Sequence, residues 1–204
     1  MSPRPQIEHI RRPQLLTAAA QVIAERGFAA TRIADVADRA GTSPAGVLYW
    51  FDSRDELLAE ALTFAEETFA ERLRARLAHL DCPSERLVSL IESSVSDDDD
   101  WKLWIEMWTR ALRDPQLAES RQRLDDRWRA QIAEVVREGQ ATGDFQGPEP
   151  DRAALELSAL MDGLAVQVAL GDRVVTPALM RATCVEVAER LLSTELVVPE
   201  EVPA

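Results

Sequence analysis

The sequence has only two cysteines, Cys82 and Cys184, and two histidines, His9 and His79. The cysteines stand far apart without a CxxC or Cys/His ligand spacing, which argues against a disulfide scaffold or a zinc module and fits reducing, cytoplasmic surroundings. Isolated histidines leave few routes to an imidazole-based catalytic or metal site, so no metal or cofactor is expected. A single tyrosine, few threonines and the lack of alternating Val/Ile runs between turn dipeptides remove the usual signals of β-structure. No apolar run approaches the ~20 residues of a membrane span. The stretch MSPRPQIEHIRRPQ also lacks the apolar centre of a signal peptide, so no membrane partner is expected.

Positive charge is scarce as well. The chain carries a formal charge of -13, whereas nucleic-acid binders are usually recognised by a basic patch. The average conceals segregation. Residues 1–58 set seven arginines (Arg4, Arg11, Arg12, Arg26, Arg32, Arg39, Arg54) against seven carboxylates, so the whole excess of -13 falls on the rest of the chain. With 204 residues and 46% apolar side chains, there is material for one large domain or for a small and a medium one.

What is present reads as helix throughout. Proline is tolerated at the first helical position, and a preceding Ser, Thr or Asp can cap the unpaired N–H groups. Ser43-Pro44, Asp114-Pro115 and Thr176-Pro177 fit that rule, and Cys82-Pro83 and Glu149-Pro150 resemble it. Ser53-Arg54-Asp55-Glu56 adds a capping box, and Thr31 is expected to cap the helix after it. Helices are expected at 13–26, 32–39, 44–50, 54–79, 84–96, 99–112, 115–141, 150–170 and 177–193, with Gly27, Gly41, Gly143 and Gly171 just past helix ends. The expected organisation is a small N-terminal domain over 1–53 with a basic arm, a larger helical domain over 54–196, and a frayed tail over 197–204.

Three short helices with a tight turn at Arg39-Ala40-Gly41-Thr42-Ser43 define a helix-turn-helix. Ile33, Val36 and Ala37 would pack against Leu16, Ala19, Val22 and Ile23, and Val47, Trp50 and Phe51 would form the inner face of the third helix. That leaves Thr42, Ser43, Ala45, Gly46 and Tyr49 outward. Small residues let a helix sit deep in the major groove, where hydroxyls bond base edges and Ala meets a thymine methyl. Arg32 and Arg54 begin the flanking helices, where a guanidinium and helix N-terminal N–H groups can share a phosphate.

Residues 13–58, with Glu-Arg-Gly-Phe, Ala-Thr, Ile-Ala and Ala-Gly, Leu-Tyr-x-Phe and Ser-Arg-x-x-Leu in order, resemble the DNA-binding domain of the TetR/AcrR bacterial transcriptional regulators. The resemblance implies a homodimeric repressor whose C-terminal domain binds a small molecule and so releases operator DNA. It implies phosphate contacts from Thr31, Arg32, Tyr49 and Arg54 and base contacts from Thr42, Ser43, Ala45 and Gly46. Two positions depart from the family pattern. A lysine common early in the recognition helix is Pro44 here, and a phosphate-contacting tyrosine is replaced by Leu48, with Tyr49 one residue later as its substitute.

Beyond the head, Trp101, Trp104, Ile105, Trp108 and Leu112 recur at spacings of three and four, a continuous stripe widened by Leu103, Met107 and Ala111. Two readings stand side by side. The tryptophans are core, or, with Phe64, Phe69, Met107, Trp128 and Met161, they line an apolar and aromatic effector cavity. Tryptophan faces attract cations, and the C-terminal half is similar to that of choline-responsive family members. The acidic run Asp97–Asp100 reads as a solvated helix start.

Residues 150–170 are apolar nearly all round, which a small domain does not easily bury. Pairing with 177–193 across a two-fold axis is therefore expected, through Leu157, Leu160, Gly163, Leu164, Val168, Val185, Ala188 and Leu192. The leading expectation is a ligand-controlled DNA-binding repressor rather than an enzyme. The alternatives are a helical enzyme using carboxylates around the tryptophan helix, and a scaffold that uses the Trp-lined cavity without binding DNA. A helical wheel that places Lys102 and Glu106 on the outer face disfavours the enzyme.

Overall fold

The computed structural model describes residues 12–95 and 100–197. Arg4 and Arg11 of the expected basic arm, Asp97, Asp98 and Asp99 of the acidic run and the tail beyond Val197 lie outside the described residues. Among the described residues the chain is all-helical: α1 (Arg12–Arg26), α2 (Ile33–Ala40), α3 (Pro44–Leu48), α4 (Arg54–Leu77), α5 (Pro83–Ser94), α6 (Asp100–Ala111), α7 (Pro115–Thr142), α8 (Pro150–Ala169) and α9 (Pro177–Leu192).

Proline opens α3, α5, α7, α8 and α9. Ser43 accepts from Gly46 N at 3.1 Å, Asp114 from Gln116 and Leu117 N at 3.0 and 3.2 Å, Glu149 from Arg152 N at 3.2 Å, and Thr176 from Leu179 N at 3.2 Å. Each bond satisfies an N–H that the first helical turn leaves without an intrahelical acceptor. At α4, Ser53 accepts from Glu56 N at 3.1 Å, while the Glu56 carboxylate reaches back to Asp52 N at 2.6 Å, one residue earlier than a standard capping box. Cys82 offers α5 no such bond.

The chain divides into two compact units, one formed by 12–69 with 100–122 and the other by 70–95 with 123–197. In the first, Leu15, Ala19, Val36, Ala37, Val47, Leu57, Leu58 and Met107 have no exposed surface. A fully buried leucine of this kind contributes about 2 kcal/mol through removal from water. α6 packs on α1 in this unit, so the head is larger than the three helices that the turn signals delimit. In the second unit α8 packs chiefly on α9, and both touch α5.

Several expected placements are corrected. Leu157, Ala188 and Leu192, expected between two copies, are 0–1% exposed within their own chain and belong to its core. The outer side of α8 instead carries Leu155, Ala159 and Gly163, and that of α9 carries Leu179 and Ala182. Leu160, Leu164, Val168 and Val185 are half-buried. Leu112 lies past the end of α6 and is 79% exposed, so it does not extend the tryptophan stripe. The inward face of α6 is Leu103 and Met107, and its three tryptophans are half-buried.

Candidate nucleic-acid interface

The turn between α2 and α3 is built by backbone bonds. Gly41, with φ 70°, closes α2 by donating to Asp38 O, and Thr42 N donates to Ala37 O at 2.9 Å, a Schellman arrangement that requires the left-handed residue. Ser43 then starts α3. Its oxygen is already an acceptor for Gly46 N, yet its O–H remains a donor for an outside partner.

Ser43, Ala45 and Tyr49 are exposed, Tyr49 by 70%, and Thr42 is half-buried beside them. Gly46 does not join this surface. It is buried, and a Cβ there would stand 2.5 Å from Thr42 Oγ1, so its expected base contact gives way to a packing role. Trp50, expected inside, is 39% exposed beside Leu48 at 49%, and its ring meets Tyr49 edge-on at 5.5 Å. The helical period does not extend that far: α3 stops at Leu48, and Trp50 N donates to Val47 O in a tighter turn. Phe51 takes the inner position and is 2% exposed.

Thr31 is likewise corrected. Its hydroxyl donates to Gly27 O at 2.8 Å and the residue is fully buried, so it neither caps α2 nor offers a hydroxyl to a phosphate. Arg32 occupies the N-cap position, and its backbone N–H is taken by Asp35 Oδ2 at 3.0 Å. Arg54 is drawn inward: it donates to Thr31 O at 2.6 Å, to Phe28 O and to Ala29 O, and pairs with Asp55 at 2.5 Å.

Arg12, Arg26 and Arg39 are paired as well. Arg12 meets Glu60 at 2.5 Å, Arg26 meets Asp35 at 2.6 Å and Arg39 meets Glu25 at 2.6 Å. Among the described residues of the helix-turn-helix, Arg32 is the one exposed arginine without a carboxylate partner, at the positive end of α2.

On α6, Trp108 packs against Trp101 and Trp104 with centroids 6.3 and 5.9 Å apart, and Trp108 Nε1 is buried with no hydrogen-bond partner among the described residues. Phe64 and Phe69 are half-buried on α4 in the same compact unit. Trp128, half-buried on α7, and Met161, buried on α8, belong to the other unit. Lys102, the chain's single lysine, is exposed next to Trp101. Glu106 is not on an outer face, because its carboxylate accepts from Phe28 N at 3.0 Å.

A helix-turn-helix whose third helix and its two flanking residues present Ser43, Ala45 and Tyr49 to solvent is the arrangement of a DNA-binding head. The profile of the bacterial regulatory proteins of the tetR family matches residues 15–61, and that of the C-terminal part of BetI-type transcriptional repressors matches residues 83–193. The crystal structure of a transcriptional regulator from Saccharomonospora viridis in complex with choline superposes with a TM-score of 0.82 at 34% identity, over 89% of this chain and 96% of that one. The HTH-type transcriptional regulator CymR of Pseudomonas putida is 34% identical over 141 residues, 66% of this chain and 70% of that protein. The regulator BetI of Burkholderia mallei is 29% identical over 177 residues, 82% and 86% of the two chains.

The chain belongs to the TetR family of bacterial transcriptional regulators, with a C-terminal part of the BetI repressor type. It is a DNA-binding transcriptional repressor of a family whose members bind operator DNA and small-molecule effectors, and not an enzyme.

Proposed function

We propose that two copies of this chain bind a quasi-palindromic operator in the cytoplasm and are released by a small organic cation. The observation that carries the DNA half is the joint exposure of Ser43, Ala45 and Tyr49, together with that of Arg32, which has no carboxylate partner among the described residues. Ser43 and Thr42 offer hydroxyls and Ala45 a methyl contact to base edges, while Arg32 and Tyr49 take phosphates. Arg54 acts from behind by holding the carbonyls that precede α2. A two-fold axis would set the two recognition helices about 34–36 Å apart, on successive major grooves.

The dimer is assigned to α8 and α9. Leu155, Ala159 and Gly163 with Leu179 and Ala182 form an apolar, small-residue face that the chain itself leaves uncovered. In this organisation 1–53 reads DNA and 54–196 holds the effector and the partner copy. The effector is assigned to the faces of Trp101, Trp104 and Trp108, whose π-systems attract a quaternary ammonium group. Choline in the Saccharomonospora viridis regulator supports that class of ligand. No helix among the described residues is long and apolar enough to cross a membrane.

The test is a mobility-shift titration of the full chain on duplex DNA from upstream of its own gene, with and without choline chloride. A specific shift that choline reverses is expected. No specific shift at low salt from a folded dimer would overturn the reading.

A further inference from the structure

Residues 27–31, which link α1 to the N-cap Arg32, are gripped from two sides. On the N–H side, Phe28 N donates to Glu106 Oε1 at 3.0 Å. Gly27 has φ 79°, the left-handed region that favours glycine, and a Cβ there would stand 3.1 Å from that same oxygen and press on the carboxylate. Arg110, one turn further along α6, places its guanidinium 3.7 Å from the centre of the Phe28 ring, which is 2% exposed. On the C=O side, Arg54 of α4 holds the carbonyls of Phe28, Ala29 and Thr31.

The segment so held runs directly into Arg32, which has no carboxylate partner among the described residues, and into the Asp35 bond that starts α2. Glu106 and Arg110 make no use of the tryptophan face, because they lie roughly half a turn around α6 from Trp101 and Trp108. An acidic side chain engaged with a distant backbone amide in this way is a specific device rather than a solvated charge. A hydrogen bond to a carboxylate is about twice as strong as a neutral one and far more demanding in geometry.

We propose that Glu106 is a positioning residue for operator recognition: through the Phe28 amide it fixes the start of α2, and with α2 the turn that presents Thr42, Ser43 and Ala45, in the register that fits the base edges. The proposal rests on the reading of the chain as an operator-binding regulator. Glu106 touches no DNA itself. Its loss therefore lowers discrimination between operator and other sequences, while general attraction to DNA persists through the remaining contacts.

The experiment measures binding of the full-length protein to operator and to scrambled duplex at one salt concentration, for wild type, Glu106→Ala and Glu106→Gln, with thermal melts alongside. Glu106→Ala is expected to weaken operator binding roughly tenfold, as loss of a charged hydrogen bond implies, with scrambled DNA changed by less than about twofold against the same scale. Glu106→Gln, whose amide oxygen still accepts from Phe28 N, is expected to recover most of the loss.

Equal losses on both duplexes, or failure of glutamine to rescue, would reduce Glu106 to a fold anchor and overturn the proposal, as would operator binding unchanged in Glu106→Ala. Should Glu106→Ala not fold, Arg110→Ala serves in its place: it removes the clamp on the Phe28 ring, is expected to lose operator preference in the same direction, and counts against the proposal if it does not. A folded wild type without preference for operator over scrambled DNA sinks the functional reading itself and the proposal with it, an outcome distinct from variants that match a discriminating wild type.

Discussion

Gly46 lies so close to Thr42 that a β-carbon on the glycine would stand 2.5 Å from the threonine hydroxyl oxygen. The recognition helix therefore depends on an absent side chain to hold a present one. Alanine at position 46 gains about 1 kcal/mol of helix propensity, but the Thr42 hydroxyl must rotate away from its present rotamer. Gly46→Ala is expected to leave the melting temperature within a few degrees of wild type and to weaken operator binding about tenfold, the scale of one good base contact. Anisotropy titration beside a thermal melt checks both arms.

Arg32 and Arg39 provide a controlled comparison. Arg32 has no carboxylate partner among the described residues, whereas Arg39 is held by Glu25 at 2.6 Å. Arg32→Ala is expected to lower affinity for all DNA sequences and to reduce the slope of log K against log salt by about 1, the loss of one phosphate contact. Arg39→Ala should leave that slope unchanged. Titrations at several salt concentrations decide between them.

Gly163 is exposed and has nothing within 4 Å of the position a β-carbon would take, so the chain alone leaves open space there. If α8 packs closely across a two-fold axis, Gly163→Leu separates the helices and shifts the equilibrium toward monomer. Sedimentation equilibrium should show that shift with far-ultraviolet dichroism unchanged. Leu192→Ala, which empties the chain's own core, should instead cost about 2–5 kcal/mol of stability.

Burial raises the Cys184 thiol from 9.0 to about 11, while Cys82 is exposed. One thiol should react promptly in the native protein and both after denaturation. The raised value also sets a sign for stability. The unfolded thiol ionises first, so this contribution is intact below pH 9.0 and is lost as pH rises through about 11. Denaturant titrations of wild type and Cys184→Ala should diverge less at pH 10 than at pH 8.

Much of the helical architecture could be read directly from the sequence, because its punctuation is local chemistry. A proline preceded by Ser43, Asp114 or Thr176 states where a helix starts, and the observed starts follow. The errors have a common origin in effects that periodicity does not carry. A helical wheel turns Trp50 inward only if α3 continues past Leu48, where it ends. Thr31 has a cap's chemistry, yet the buried loop needs its hydroxyl for Gly27 O. Leu157, Ala188 and Leu192 show that an all-round apolar helix still has a side that faces its own chain. Glu106 looked like an outer-face charge because its partner, the Phe28 amide, is distant in sequence and leaves no side-chain signature. Of the arginines in the head, sequence could show their number but not that Arg12, Arg26 and Arg39 are neutralised within the fold.

Lys102 gives the molecule a built-in handle. As the single lysine, exposed on α6 between the tryptophan face and the residues that grip Phe28, it is the one side chain an amine-directed dye can reach, apart from the chain's α-amino group. A fluorophore or spin label can therefore be placed on that helix without introducing a cysteine or removing any residue. The movement of α6 can then be followed in the native sequence.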